Sequence, residues 1–235
     1  MKYAIVLAGG TGTRAGGTLP KQFQPLKGRP VAWWAMKAFL DYDPALQLVV
    51  VVHPGYAGHW RELMAGMPES ERLPHHVCYG GRSRVESVAN GLAYVGSMLQ
   101  TFGEGASDPL LFIHDGARPL VSRGVIAATA AVVSPGAGAV PGVTPVDSLR
   151  RIDTEPTQAA DRSCFVAVQT PQTFMYSDIS AAYAQSDPTD PTLTDDASVA
   201  ERCGVRIFVT AGDPDNIKIT HPRDFMLASA LLGGE

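Results

Sequence analysis

Short apolar runs alternate along this chain with segments in which apolar residues recur every three or four positions. The runs are typical of strands buried on both faces of a sheet, and they predict strands over Tyr3–Leu7, Leu46–His53, His75–Tyr79, Leu110–Ile113 and Ala137–Val143. The segments between them predict helices over Val31–Leu40, Pro54–Met67, Ser83–Met98 and Ser122–Val133. This alternation predicts an α/β fold with a Rossmann-like, mostly parallel sheet and helices on both faces.

The alternation lapses between about residues 144 and 169. Two short strands joined by a polar turn would make a protruding β-hairpin arm there. Beyond the arm we expect further helices and strands, over Ser177–Gln185, Asp196–Cys203, Val205–Val209, a strand-like run at Ile217–Thr220 and a last helix from Pro222. With 235 residues, 45% of them hydrophobic, the chain is expected to form a single domain over residues 1–235.

A glycine-rich loop follows the first strand directly, with the sequence Ala8-Gly9-Gly10-Thr11-Gly12-Thr13-Arg14. Glycines placed there let bare backbone N–H groups approach an anion closely. Arg14 and Lys21 add positive charge, and six Lys or Arg residues precede the first acidic residue, Asp41. Because the formal net charge of the chain is -4, this acid-free opening indicates a polyphosphate site.

Three other interpretations of the loop are weaker. A plain surface turn is the commonest role of a glycine-rich stretch, but it does not explain the clustered charge. Gly10-x-Gly12-x-x-Ala15 fits a dinucleotide fingerprint formally, yet Pro20 keeps the chain out of a helix and no acid follows at the ribose-binding position. A Walker loop is excluded because no Gly-Lys-Ser/Thr closes it. We favour a nucleoside triphosphate site of the nucleotidyltransferase kind.

Chemistry-bearing residues also follow other strands. In parallel sheets, ligands bind beyond the carboxyl ends of the strands, so four strand ends are expected to converge on one cleft. The four are the glycine loop, Gly80-Gly81-Arg82-Ser83, His114-Asp115-Gly116-Ala117-Arg118 and Pro145-Val146-Asp147-Ser148.

Asp115 at a strand end can help hold Mg²⁺ or orient a sugar hydroxyl, and Arg118 can clamp a phosphate. Alone, an Asp–Arg pair closing a turn would be the better explanation, and the glycine loop at the same sheet edge is what favours a functional role. Gly80 and Gly81 with Ser87 suggest base or ribose recognition, although an ordinary capped helix start fits too. Lys218 lies in a strand-like run. Because a buried lysine is rare without an anion, we expect Lys218 to be buried and to face a ligand phosphate, with an edge-strand lysine as the alternative.

Composition narrows the function classes. A pI near 5.8 argues against general nucleic-acid binding, and no run is long and apolar enough to cross a membrane. Three widely separated cysteines, Cys78, Cys164 and Cys203, are typical of reduced thiols in a cytoplasmic protein. We therefore expect a cytoplasmic protein that binds small molecules.

The motifs together resemble one family, the polyol-phosphate cytidylyltransferases, whose best-known members act on 2-C-methyl-D-erythritol 4-phosphate. The resemblance spans nearly the whole chain in order. It rests on the glycine loop with Pro20-Lys21-Gln22, Gly80-Gly81 with Ser87, His114–Pro119, Asp147-Ser148, Asp161-Arg162, Thr170–Gln172, Thr194–Ser198 and Asn216–Thr220. It implies a fold of the nucleotide-diphospho-sugar transferase type. It also implies transfer of CMP from CTP to the polyol phosphate, with release of pyrophosphate and with Mg²⁺ or another divalent cation as cofactor.

The resemblance also implies roles for individual residues. Arg14 and Lys21 would stabilise the triphosphate, and Arg162 and Lys218 would position the acceptor phosphate. Nearby substrate contacts are implied for Ala8, Gly9, Gly10, Gly12, Thr13, Gly80, Gly81, Ser87, Asp115, Arg118, Ser148 and Thr170, with Asp115 as a metal ligand. The family is a homodimer whose arm reaches into the partner's site, so Ser148 and Arg162 would act in trans.

Three alternatives stay open at the level of sequence. A ribitol 5-phosphate cytidylyltransferase shares the opening motif. A non-catalytic nucleotide-binding module would keep the fold without turnover, although the joint presence of Arg14, Lys21, Asp115 and Lys218 argues against it. A nicotinamide-dependent dehydrogenase is disfavoured by the missing acidic residue after the loop.

Overall fold

The computed structural model describes residues 1–10, 19–101 and 107–233, so Gly12, Thr13 and Arg14 lie outside the described residues. The strands are β1 (Lys2–Ala8), β2 (Pro25–Leu26), β3 (Arg29–Pro30), β4 (Gln47–Val52), β5 (His76–Tyr79), β6 (Leu110–Asp115), β7 (Ala137–Val143), β8 (Leu149–Arg151), β9 (Gln158–Ala160), β10 (Ala167–Val168), β11 (Gln172–Met175) and β12 (Arg206–Ala211). The helices are α1 (Val31–Tyr42), α2 (Ala57–Ala65), α3 (Arg84–Gln100), α4 (Arg123–Val132), α5 (Tyr176–Gln185), α6 (Asp196–Arg202) and α7 (Pro222–Leu231).

Within the described ranges, eight strands form the central sheet in the order β10-β7-β11-β6-β1-β4-β5, with β12 paired to β7. Strands β1, β4, β5 and β6 run parallel to one another. β11 runs antiparallel to both β6 and β7, and β10 is antiparallel to β7, so the two short strands interrupt an otherwise parallel sheet. The predicted mostly parallel sheet is confirmed.

Successive side chains of the central strands pack alternately into two separate hydrophobic cores, one on each face of the sheet. In β1, Ala4 and Val6 pack into the layer with α1, α2 and α4, whereas Tyr3 and Ile5 pack into the layer with α3, α5 and α6. Gly91 of α3 sits directly on the second layer, where an added Cβ would lie 3.0 Å from Ile5 Cγ2. The glycine therefore lets α3 approach the sheet closely, and helices cover both faces as predicted.

A two-stranded hairpin lies outside the main sheet. It pairs β8 with β9 antiparallel, with Leu149 opposite Ala160 and Arg151 opposite Gln158. Its flanking apolar side chains face solvent, Val146 being 85% exposed and Ile152 86% exposed. The predicted arm between residues 144 and 169 is therefore present.

One predicted element is wrong. The residues from Asn216 to Thr220 form no strand. Their backbone bonds go elsewhere, since Ile219 N donates to Ala117 O at 2.9 Å and Asn216 O accepts from Arg118 Nη1 at 2.8 Å. These scattered contacts replace a strand ladder and hold the segment beside the end of β6.

In the described part of the chain, no helix has the length and apolarity needed to cross a membrane. The three cysteines are free thiols; Cys78 is buried, and Cys164 and Cys203 are exposed.

Candidate active site

A cleft of about 490 Å³ opens beyond the carboxyl ends of β1, β4, β5 and β6. We call this cavity the cleft. The described residues that line it are Leu7, Gly9, Gly10, Lys21, Gln22, His53, Gly81, Arg82, Ser83, Arg84, Ser87, Asp115, Ala117 and Lys218. Four of these side chains are Lys or Arg, and Asp115 is the single carboxylate among them. The described lining is therefore suited to an anionic ligand.

Gln22 fixes the backbone at the start of the glycine loop, directly after β1. Its Nε2 donates to Ala8 O at 2.7 Å and to Gly10 O at 2.5 Å, and the side chain is buried. Gln22 lies in the same 3-10 turn, Lys21–Phe23, as the cleft-lining Lys21. One amide side chain thus ties the start of the glycine loop to the turn that carries Lys21.

Ser87 organises the loop after β5. Its hydroxyl accepts from Gly81 N at 3.1 Å and donates to Ser83 O at 2.8 Å. An added Cβ at Gly81 would lie 2.3 Å from Glu86 Cβ, so this tight turn requires glycine. Ser83 caps α3 through Glu86 N, at 3.1 Å. The structure therefore shows the capped helix start, and the same residues line the cleft.

Asp115 is the last residue of β6 and lies at the centre of a charge cluster. Its Oδ2 is 2.8 Å from Lys218 Nζ and 3.7 Å from Arg118 Nε, and its Oδ1 is 3.9 Å from Arg84 Nε. Burial would raise the pKa of this carboxyl, but Lys218, Arg84 and Arg118 together hold it well below its ordinary value. Asp115 is therefore ionised, and it orients cations that converge from three separate segments.

Directly behind Asp115, His114 is fully buried and neutral. Its ring contacts Arg118 O through Nε2 at 3.1 Å and the Thr170 hydroxyl through Nδ1 at 3.0 Å. Because a carbonyl can only accept, Nε2 carries the proton and Nδ1 accepts from Thr170. Burial lowers the pKa of His114 to about 4. His114 is therefore a packed, hydrogen-bonded residue of the interior.

Arg84 is a cleft residue that sequence analysis gives no role, and the structure places it in a distinctive environment. Its Nη1 and Nη2 donate to the two carboxylate oxygens of Asp196, at 2.8 and 2.6 Å. Asp196 is fully buried at the start of α6 and also accepts from the Tyr183 hydroxyl at 2.5 Å. His53 at the end of β4 is a second cleft residue that sequence reasoning missed.

The structure brings some predicted residues together and leaves others apart. Gly9, Gly10, Lys21, Gly81, Ser87, Asp115 and Lys218 line the cleft. Ala8, Gly80 and Arg118 are not in that lining, but each is adjacent in sequence to a residue that lines the cleft. Lys218 was expected to be buried, and this is wrong, because its side chain is 44% exposed beside Asp115.

Thr170 is buried beneath the cleft, where its hydroxyl accepts from Asp115 N at 3.1 Å. Ser148 and Arg162 belong to the arm and are not among the described residues that line the cleft of their own chain. Arg162 donates instead to Val146 O. Convergence of the strand ends is thus confirmed for three of them, whereas residues 145–148, after β7, are not among the described residues that line the cleft.

The family model for 2-C-methyl-D-erythritol 4-phosphate cytidylyltransferase matches residues 2–234. The chain belongs to this family. Proteins of that name from Phocaeicola vulgatus and Ralstonia nicotianae are 36% and 39% identical to it. The first match covers 98% of this chain and 99% of the relative, and the second covers 99% and 92%.

Among solved structures, the 2-C-methyl-D-erythritol 4-phosphate cytidylyltransferase from Thermus thermophilus is 31% identical to this chain. It has a TM-score of 0.71, with 98% of each chain covered. Membership of this family makes the protein a nucleotidyltransferase, and the dehydrogenase alternative is therefore wrong.

Proposed function

We propose that the protein transfers CMP from CTP to 2-C-methyl-D-erythritol 4-phosphate, giving 4-diphosphocytidyl-2-C-methyl-D-erythritol and pyrophosphate. This reaction would supply precursors of the non-mevalonate isoprenoid pathway. The observation that carries the proposal is the cationic cleft, in which Lys21, Arg82, Arg84 and Lys218 line the same cavity as a single described carboxylate. This cavity lies at the end of the strand that leads into the glycine loop. It suits a reaction between two anions, as the family assignment requires.

The chemistry needs charge rather than a base. The acceptor's phosphate oxygen forms a bond to the α-phosphorus of CTP, and the bond from that phosphorus to the pyrophosphate oxygen breaks. A phosphate monoester is already largely ionised at neutral pH, so no residue has to remove a proton from it. The barrier is the crowding of negative charge, which fixed cations and in-line placement lower.

Three groups of residues would share this work. The backbone of Ala8, Gly9, Gly10, Gly12 and Thr13, with Arg14 and Lys21, would hold the triphosphate. Gly80, Gly81 and Ser87 would meet the cytidine. Lys218, Arg118 and Asp115 would meet the acceptor, with Thr170 supporting Asp115 from beneath through its backbone amide.

A magnesium ion fits this cleft as a partner of the triphosphate. Mg²⁺ in nucleotide enzymes takes one or two carboxylates and completes its shell with phosphate oxygens and water. Asp115 is the single carboxylate of the described lining and is ionised. When bound, the ion would neutralise charge on the phosphate oxygens.

We also propose that the protein is a cytoplasmic homodimer in which the arm completes the partner's site with Ser148 and Arg162. In support, the arm protrudes from the main sheet, and Val146, Ile152 and Phe165 expose apolar surface along it.

Mixing two weak variants, Lys21→Ala and Arg162→Ala, tests the exchange at limiting acceptor. If arms are exchanged, one site of each mixed dimer is intact, and activity rises to about a quarter of wild type after statistical mixing. If the arm serves its own chain, mixing restores nothing.

The reaction itself is tested by ³¹P NMR of the product formed with CTP, UTP or ATP and the methylerythritol phosphate. We expect a diphosphate diester and free pyrophosphate with CTP in preference to UTP and ATP. A chain that binds CTP but forms no diester with any of them would be a non-catalytic module.

A further inference from the structure

A chain of polar side chains leads from the interior to the cleft. Tyr183 on α5 donates its hydroxyl hydrogen to Asp196 Oδ1 at 2.5 Å, and Asp196 is fully buried. Burial and the neighbouring Asp196 carboxylate raise the pKa of Tyr183 far above its ordinary value, so this hydroxyl stays protonated and keeps donating. This hydrogen bond therefore fixes the orientation of the Asp196 carboxylate, which also contacts Arg84.

Asp196 in turn fixes Arg84. The two parallel hydrogen bonds, 2.8 Å to Oδ1 and 2.6 Å to Oδ2, define the plane of the guanidinium as well as its position. The third nitrogen, Nε, faces Asp115 Oδ1 at 3.9 Å, and the Arg84 side chain lines the cleft with 32% of its surface exposed. Arg84 therefore joins a buried anchor to the carboxylate that Lys218 contacts.

Three cationic side chains share the single negative charge of Asp115. Lys218 is the nearest, at 2.8 Å, and Arg118 and Arg84 lie at 3.7 and 3.9 Å. Because the carboxylate is shared, Lys218 and Arg118 keep positive charge that a bound phosphate can use. Without Arg84 in place, Asp115 would pair more tightly with those two and would be free to turn away from its present position.

We propose that Arg84 is a positioning residue for the acceptor phosphate, held in register by Asp196 and Tyr183. It acts through Asp115, which sets where Lys218 and Arg118 meet the acceptor. The inference rests on the proposed function, because it places the acceptor phosphate at the Asp115–Lys218 end of the cleft.

The chain offers a matched control at the next position. Asp195 caps α6 by accepting from Ser198 N at 2.9 Å, and it also accepts from Gln172 Nε2 at 2.8 Å. It is an aspartate of the same helix start, but its side chain bonds to Ser198 and Gln172, whereas Arg84 bonds to Asp196. Asp195→Asn and Asp196→Asn therefore perturb the same region, and only the second alters the anchor of Arg84.

The experiment measures kcat, the KM of each substrate and Tm for wild type and both variants. We expect Asp196→Asn to raise the acceptor KM by about tenfold, the scale of one displaced charge contact, with the KM of CTP within about twofold. Asp195→Asn should leave both KM values within about twofold of wild type. Equal effects of the two variants, or an equal rise in both KM values, would overturn the inference.

Two further variants guard against misfolding. Tyr183→Phe removes one donor and should raise the acceptor KM in the same direction by about two- to threefold. Arg84→Gln combined with Asp196→Asn should match Arg84→Gln alone, because Asp196 acts through Arg84, and additive effects would overturn the inference. A wild-type enzyme that releases no pyrophosphate would contradict the proposed function and this inference together, whereas failure confined to the variants overturns the inference alone.

Discussion

Lys218 Nζ lies 2.8 Å from Asp115 Oδ2, although the two residues are more than a hundred positions apart in the chain. Asp115 ends a central strand, and Lys218 lies in an irregular segment held there by hydrogen bonds of its backbone with Ala117 O and with the Arg118 side chain. The pair places a half-exposed ammonium group beside the cleft, where it can exchange its carboxylate partner for a substrate phosphate.

Replacement of Lys218 by Met should impair use of the acceptor. Loss of one charge-assisted contact costs about 1.5–3 kcal/mol, so the kcat/KM for the methylerythritol phosphate should fall by roughly 10- to 100-fold. The matched control is Lys2→Met, which removes another ion pair, to Asp43 at 2.7 Å, at the far end of β1. Steady-state kinetics that showed equal losses in both variants would contradict the assignment of Lys218.

Lys21→Ala should lower turnover by more than about 100-fold, the effect of losing one preorganised charge donor at the transition state. Lys37→Ala is the control, since Lys37 pairs with Asp41 on α1 and does not line the cleft. Near-normal turnover of Lys21→Ala at saturating CTP would remove Lys21 from the catalytic role.

Gln22→Glu should weaken CTP binding. The amide now donates to Ala8 O and Gly10 O, and a carboxylate would set two acceptors against those carbonyls at the start of the glycine loop. We expect the KM of CTP to rise by roughly tenfold or more, the equivalent of about 1–3 kcal/mol for an unsatisfied buried group. Gln47→Glu, at an exposed backbone contact, is the control. A CTP KM unchanged in Gln22→Glu would separate Gln22 from the loop's function.

Because His114 is buried, we expect the free energy of unfolding to depend on pH. Burial lowers its pKa from 6.5 to about 4, so the unfolded chain binds the proton first as pH falls. Its contribution is fully present above about pH 6.5 and is lost on the way down to pH 4, on the order of 3 kcal/mol in total. Burial also lowers the pKa of His75, which adds to the trend.

Urea unfolding of wild type and His114→Gln between pH 7.5 and 4 measures this contribution. The variant should be less sensitive to pH over that interval, whatever its stability at pH 7.5. Parallel curves for the two proteins would show that His114 does not titrate in this way.

The central strands were predictable because parallel strands are buried on both faces and appear as unbroken apolar runs, as in Leu46–His53. Residues that follow those strands were predictable as cleft residues for the same reason, since the direction of the strands decides where their ends lie. This reasoning was enough to bring Gly9, Gly81 and Asp115 to one edge.

What escaped prediction depends on distant contacts. The four residues of β11 carry little periodicity of their own, and only pairing with β6 inserts them between β6 and β7. The partnership of Arg84 with Asp196 joins positions 112 apart, which no local pattern reveals. The segment around Lys218 looked like a strand because it alternates apolar and polar residues, whereas its backbone is bonded to the turn after Asp115.

Pyrophosphate release from CTP and Mg²⁺ tests the central claim most directly, with methylerythritol 4-phosphate and ribitol 5-phosphate offered separately. We predict rapid release with methylerythritol 4-phosphate and little with ribitol 5-phosphate, and loss of the signal in Lys21→Ala. Release with ribitol 5-phosphate alone, or with neither acceptor while CTP still binds, would contradict the proposed function.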